Sequence, residues 1–216
     1  MKILTLYEHL KSRFGSLADP AAWWPIFHGH TTPPEFERAI TAILVQKSTW
    51  KSVPAAVHSL AQQNLLTAVA LASAPAERIA ACIKTTGLQL QKAIRLKALC
   101  RFALERFGTE NDFCKNVTRE HLRSIAGIGD ETADRILLYA CSRLAWPVDD
   151  YCLRVFTHYG LLTILPTTPK EECSIMIKRA ITDEMPTKLD DWQRLHALMQ
   201  LNGELLPPLL FAKPDR

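Results

Sequence analysis

Residues 125–136 read IAGIGDETADRI. The chain has only 8 glycines, yet Gly127 and Gly129 bracket a single isoleucine here. Upstream, REHLRSIAG (119–127) puts Leu122 and Ile125 on one helical face. Downstream, TADRILLYA (132–140) puts Ile136, Leu137 and Tyr139 on another. The spacing predicts helix, tight turn, helix across 119–144. Glycine at the turn permits positive φ and close backbone approach. Two readings follow. One is an αα turn closed by a glycine C-cap. The other is an exposed helix N-terminus, whose orphan N–H groups and dipole attract an anion such as a nucleic-acid phosphate.

The helical period extends outward from this hairpin. Segments 35–46, 53–61, 64–72, 76–84, 89–106, 119–125, 131–144, 151–159, 169–183 and 189–202 carry it. No alternating β-branched run or Asn-Gly hairpin signals a strand. The expected fold class is therefore all-α, with short connections, and Pro207–Pro208 should end the last long helix and leave a loosely held tail. Hydrophobic content of 48% with 22% charged residues over 216 residues fits a globular chain with a sizeable core. A net charge of +4 is compatible with a polyanionic partner. The start, MKILTLYEHLKSRF, reads as an amphipathic helix rather than a signal peptide, and no apolar run reaches membrane-spanning length. The six cysteines, at 82, 100, 114, 141, 152 and 173, form no Cys-x-x-Cys pair. A soluble intracellular protein with reduced thiols is expected.

Beyond the hairpin, Trp146-Pro147-Val148-Asp149 precedes the amphipathic stretch YCLRVF. Asp149 or Asp150 at that boundary reads as a helix N-cap. IAGIGDETADRI followed by PVDDYCLRVF resembles the helix-hairpin-helix plus Gly/Pro/Asp signature of the endonuclease III superfamily of DNA glycosylases. ITAILVQKSTWKSV and KTTGLQLQKAIRLKALCRF match further segments of that superfamily, so the likeness spans most of residues 20–160. Trp23-Trp24-Pro25 and GIGDETADRILLYA look most like its bacterial 3-methyladenine members.

The resemblance implies two helical lobes with an active-site cleft between them: a six-helix lobe at 28–141, and a second from 1–27 plus 142–216. It implies a catalytic role for Asp149, since departure of a base leaves positive charge on the sugar that a carboxylate stabilises. Relatives that cleave the strand carry a lysine where this chain has Glu131. A carboxylate cannot form an imine with C1′, so hydrolysis of alkylated purines, above all 3-methyladenine, without β-lyase activity is implied. A same-fold glycosylase for mismatched uracil or thymine or for oxidised bases, and a non-enzymatic hairpin that only grips the DNA backbone, are the alternatives. Glu131 itself is a candidate for orienting water or binding the base, against the plainer reading of a first-turn glutamate facing the dipole. Trp24, Pro25 and Trp50 are the expected base pocket; a cationic alkylated purine stacks well on indole. Trp23 is assigned to the core, and core packing is also the plain alternative for Trp24 and Trp50. Trp50 stands four residues after Gln46, one turn on if the helix continues.

Gln46 resembles the superfamily's residue that enters the stack where the nucleotide was, against the plainer reading, which the sequence alone favours, of an ordinary glutamine at a helix C-terminus. Lys47 is expected to be solvated or to touch phosphate, with a substitute nucleophile as the alternative. Gly127, Ile128, Gly129 and Thr132 would meet DNA through the hairpin. Lys92, Arg95, Lys97, Arg101 and Arg106 read as mostly a solvated helix face. FHGH (27–30) reads as a loop rather than a metal site. No metal ligand set and no cofactor are expected. The four C-terminal cysteines that hold an iron–sulfur cluster in many relatives have no counterpart after Cys173, whereas a monovalent cation at the hairpin carbonyls is compatible with the resemblance. The expected partner is damaged double-stranded DNA, bound by a monomer in a bacterial cytoplasm at the nucleoid, with no membrane association.

Overall fold

The computed structural model describes residues 1–162 and 168–209. Among these, every regular element is helical and none is a strand. The chain starts with α1 (Ile3–Phe14) and the short α2 (Pro20–Trp23). Then follow α3 (Pro34–Leu44), α4 (Val53–Gln62), α5 (Ala68–Ser73), α6 (Ala76–Cys82), α7 (Gln89–Phe107), α8 (Glu110–Asn116), α9 (Arg119–Arg123) and α10 (Asp130–Tyr139). Three helices complete it: α11 (Asp150–His158), α12 (Lys170–Glu184) and α13 (Leu189–Glu204). None of the described helices is long and apolar enough to cross a membrane.

The chain divides into two compact units, Pro25–Ala145 and Met1–Trp24 with Trp146–Arg216. In the first, α7 runs through the middle and packs on α3, α5, α6 and α8. Its core includes Phe36, Leu60, Leu96, Leu99 and Phe113, all without exposed surface. Phe113 meets Phe36 and Phe107 edge to face, each with ring centroids 5.7 Å apart. In the second unit, α13 contacts α1, α2 and α11. Its Gly203 lets α13 lie directly against α11. A Cβ there would lie 2.6–3.0 Å from the Tyr151 Cβ, Cα and carbonyl oxygen. At the other end of α13, Tyr7 Oη donates to Asp191 Oδ1 at 2.8 Å.

Several boundaries differ from the sequence-based ones, for local reasons. The helix expected over 64–72 starts only at Ala68, because Asn64 is left-handed (φ 53) and Thr67 caps the helix through Ala70 N at 3.2 Å. The one expected over 131–144 ends at Tyr139; Ser142 is left-handed, and Arg143 peels away to donate to the Cys114, Lys115 and Val117 carbonyls at the end of α8. α8 itself has no counterpart among the expected helices. Only Phe113 and Cys114 of ENDFCKN are buried, too few to show a period, although Thr109 capping Asp112 N is a readable start signal. α13 stops at Glu204, ahead of Pro207. From residue 210 the expected loose tail lies outside the described residues.

Candidate functional site

The hairpin is α9, a turn and α10. Thr118 and His121 form a reciprocal capping box at its start. Gly127 has φ +85, a region that glycine enters without steric cost, and extended Gly129 (φ −87, ψ −178) is the N-cap of α10. Ile128 is buried, and its N–H donates to Ile125 O at 3.0 Å. The acidic first turn has partners inside the motif. Asp130 pairs with both Arg119 and Arg123, Asp134 with Arg119 at 2.7 Å, and Glu131 with the buried Arg135 at 2.9 Å. Two arginines of the first hairpin helix thus bind carboxylates of the second, which ties the two helices together.

Gln46 sits beyond the end of α3, next to Lys47, whose φ of +50 takes the chain out of helix. Trp50 is therefore not one helical turn further on; it opens a 3-10 turn, Trp50–Ser52. The Gln46 amide is held on three sides: Nε2 donates to Thr132 Oγ1 at 2.8 Å and Gly127 O at 3.3 Å, and Oε1 accepts from Arg95 Nη1 at 2.6 Å. Thr132 is buried, and its hydroxyl accepts from the Gln46 amide. Of the hairpin carbonyls, Gly127 O and Ile125 O already accept from Gln46 and Ile128 N, and a cation there would share its acceptors with these donors.

The expected solvated face of α7 holds at Arg101 and Arg106, which are exposed, but not at Lys92, while Arg95 and Lys97 are half-buried. Lys92 is fully buried, its Nζ donating to Leu44 O at 2.7 Å and Thr86 O at 2.6 Å. Burial and the nearby Arg95 charge lower its pKa to about 8. Lys97 donates to Ala72 O at 3.1 Å and to Ala74 O, and Arg101 Nε to Ala72 O at 3.3 Å. These cations satisfy backbone carbonyls of neighbouring segments. Exposed Leu88, just before α7, has left-handed backbone (φ 47).

In the other unit, Asp149 is buried and is the N-cap of α11. Its Oδ1 accepts from Cys152 N at 3.0 Å. Its Oδ2 accepts from Gln200 Nε2 and lies 3.5 Å from His196 Nε2. His196 is buried, edge-on to Trp146 with centroids 5.7 Å apart. Asp150 is exposed and pairs with Lys170 at 2.6 Å. Sequence reasoning finds neither Gln200 nor His196, because α13 reaches Asp149 from about fifty positions away. Their spacing on α13, one turn apart on the apolar side, is the only signal the sequence offers. Asp149, Cys152 and His196 offer ligand atoms within 4.8 Å of one another, the only such group of three among the described residues. The carboxylate is already engaged by Cys152 N and Gln200, and Cys152 Sγ donates to Pro147 O at 3.6 Å. The trio thus reads as a hydrogen-bonded cap rather than a chelate.

Trp24 is buried at 4% exposure, whereas Trp23, assigned to the core, is half-buried. Pro25 and Trp50 are half-buried. Trp50 has an aromatic neighbour that sequence reading misses, Phe27, with centroids 6.4 Å apart. Phe27 N and His28 N both donate to the buried Glu37 carboxylate, which fixes this loop. All six cysteines are free. Cys114 and Cys141 share a thiol hydrogen bond, and no four-cysteine group forms among the described residues.

An all-helical chain with a Gly-x-Gly hairpin and a buried, capped aspartate soon after it matches the HhH-GPD superfamily of base excision DNA repair proteins over residues 40–176. The chain belongs to that superfamily. It is 31% identical over 182 residues to a Methanocaldococcus jannaschii protein named Putative DNA repair glycosylase MJ1434, covering 82% of this chain and 77% of the relative. Among solved structures, it resembles the H. pylori 3-methyladenine DNA glycosylase MagIII bound to 1,N6-ethenoadenine. The TM-score is 0.79 at 25% identity, over 96% of this chain and 100% of that one. It shares its fold with a trapped endonuclease III–DNA covalent intermediate, with a TM-score of 0.71 at 18% identity over 92% and 84% of the two chains.

Proposed function

We propose that this member of the superfamily is a monofunctional DNA glycosylase that hydrolyses the N-glycosidic bond of alkylated purines of the 3-methyladenine type in duplex DNA. The observation that carries the reading is Asp149: a buried carboxylate at a helix N-terminus, with both oxygens fixed by donors from α11 and α13. Such an acid stabilises the oxocarbenium-like sugar and orients the attacking water, and its geometry is set before substrate arrives. Hydrolysis without strand cleavage follows from Glu131 at the lyase position. Its ion pair with Arg135 also favours a structural role there over a catalytic one. Alkylated purines leave readily and their cationic rings suit aromatic faces, so Trp24, Pro25 and Trp50, joined by Phe27, are proposed to receive the base. The likeness to MagIII supports that substrate class. DNA would be gripped through Gln46, Lys47 and the hairpin backbone at Gly127–Gly129. No iron–sulfur cluster is needed in this scheme.

A base-release assay on methylated, uracil-containing and 8-oxoguanine duplexes tests the substrate class. Release of 3-methyladenine without strand scission is expected. Release only from uracil or oxidised duplexes would overturn the substrate assignment. A borohydride-trapped protein–DNA adduct would overturn the assignment of Glu131.

A further inference from the structure

Lys92 donates to two carbonyls that each stand just ahead of a loop, Leu44 O at the end of α3 and Thr86 O in the turn before α7. Leu44 lies three residues before Lys47, and Thr86 two residues before Leu88. Both loops then turn left-handed at a residue with a side chain, Lys47 and Leu88. Such backbone persists only where the surroundings over-determine it. A buried ammonium shared between the two carbonyls is a restraint of that kind, since moving either loop would leave a charged donor unpaired without water.

One turn along α7, Arg95 completes the arrangement. Its Nη1 takes the only acceptor of the Gln46 amide, while Gly127 O and Thr132 Oγ1 take the donors. Turning the amide over would press its NH₂ against the guanidinium, so the orientation is unique. The Arg95 side chain also lies against Gly127, where an added Cβ would come within 2.5–2.8 Å of its Nε, Cγ and Cδ. The first glycine of the hairpin thus serves two ends, positive φ and passage of this arginine.

We propose that Lys92 and Arg95 are positioning residues for DNA engagement: Lys92 fixes the spacing of the Gln46 and Leu88 loops, and Arg95 fixes the direction in which the Gln46 amide is presented. The proposal rests on the glycosylase reading for what Gln46 does once presented. Its test compares wild type, Arg95→Met, Gln46→Ala and the double variant on a duplex with a tetrahydrofuran abasic analogue beside 2-aminopurine. Fluorescence reports filling of the gap in the stack, and thermal melts report folding. Arg95→Met should lower gap filling roughly tenfold with little change in melting, and Gln46→Ala on top should cost nothing more. Arg95→Lys should recover part of the loss. Additive losses, or Arg95→Met behaving as wild type, would overturn the proposal. Lys92→Met should lower gap filling too if circular dichroism shows it folded; should it fail to fold, the Arg95 series decides. This readout needs no base release. A wild type inactive on every damaged duplex would therefore remove the glycosylase reading while the positioning proposal is judged separately.

Discussion

Asp149 and Gln46 are both polar side chains held by several hydrogen bonds, but they are held differently. The aspartate is fixed partly by its own backbone, through the Cys152 N–H three residues on, and partly by α13. The glutamine is fixed by side chains and a carbonyl that are distant in sequence, from α7 and the hairpin. A locally capped acid survives many changes around it and fails mainly when its own chemistry changes. An amide latched by remote partners fails when any of them moves. Substitution can break or sharpen this contrast.

The largest effect is expected from Asp149→Asn. Asparagine is as good an N-cap as aspartate, and the Gln200 amide, turned over, can accept from the new NH₂ where it donated to Oδ2. Melting should therefore shift by less than about 1 kcal/mol equivalent, while base release falls by about a hundred- to a thousandfold. DNA binding should persist. Unchanged release would show that the acid is only a cap. Gly203→Ala comes next. The new methyl would collide with Tyr151 backbone and Cβ atoms, and overpacking of this kind costs about 1–3 kcal/mol. Chemical denaturation should show that loss, with a smaller fall in base release as α11 and its N-cap shift. A fully stable variant would mean that α13 gives way freely and does not fix the acid. Gln200→Leu follows: it removes the amide from Asp149 Oδ2, and roughly a tenfold loss in single-turnover base release is expected.

The same contrast explains what is legible in the sequence. The hairpin, the all-helical class and the capping place of Asp149 depend on residues within one or two turns of each other, where period and caps can be read directly. Gln200, His196 and Phe27 cannot be found that way, because nothing local marks a residue whose partner lies on another element. The basic stretch of α7 misleads for a related reason. A lysine at helical spacing reads as solvated unless one knows that two backbone carbonyls converge on its end, and only the packed fold shows that for Lys92. Likewise the helical period carries Gln46 onto a helix that in fact ends at Leu44. The left-handed turn at Lys47 has no glycine or asparagine to announce it.

The smallest expected effect concerns pH and separates the two sites once more. Burial, helped by the Arg95 charge, lowers the Lys92 pKa from its ordinary 10.5 to about 8. Between about pH 8 and 10.5 the unfolded chain then binds the proton that the folded chain has released. Stability attributable to this group must therefore rise with pH across that window, and the penalty of the buried charge is present in full below it. Urea melts of wild type and Lys92→Met at several pH values should diverge gradually, with wild type gaining on the variant as pH rises. Parallel curves would show that Lys92 titrates normally and is not desolvated. Deprotonation need not release the loops, because a neutral amine still has two N–H donors for its two carbonyls. Gap filling by wild type should accordingly hold through about pH 9, which would identify the lysine's geometry, rather than its charge, as what sets the Gln46 loop.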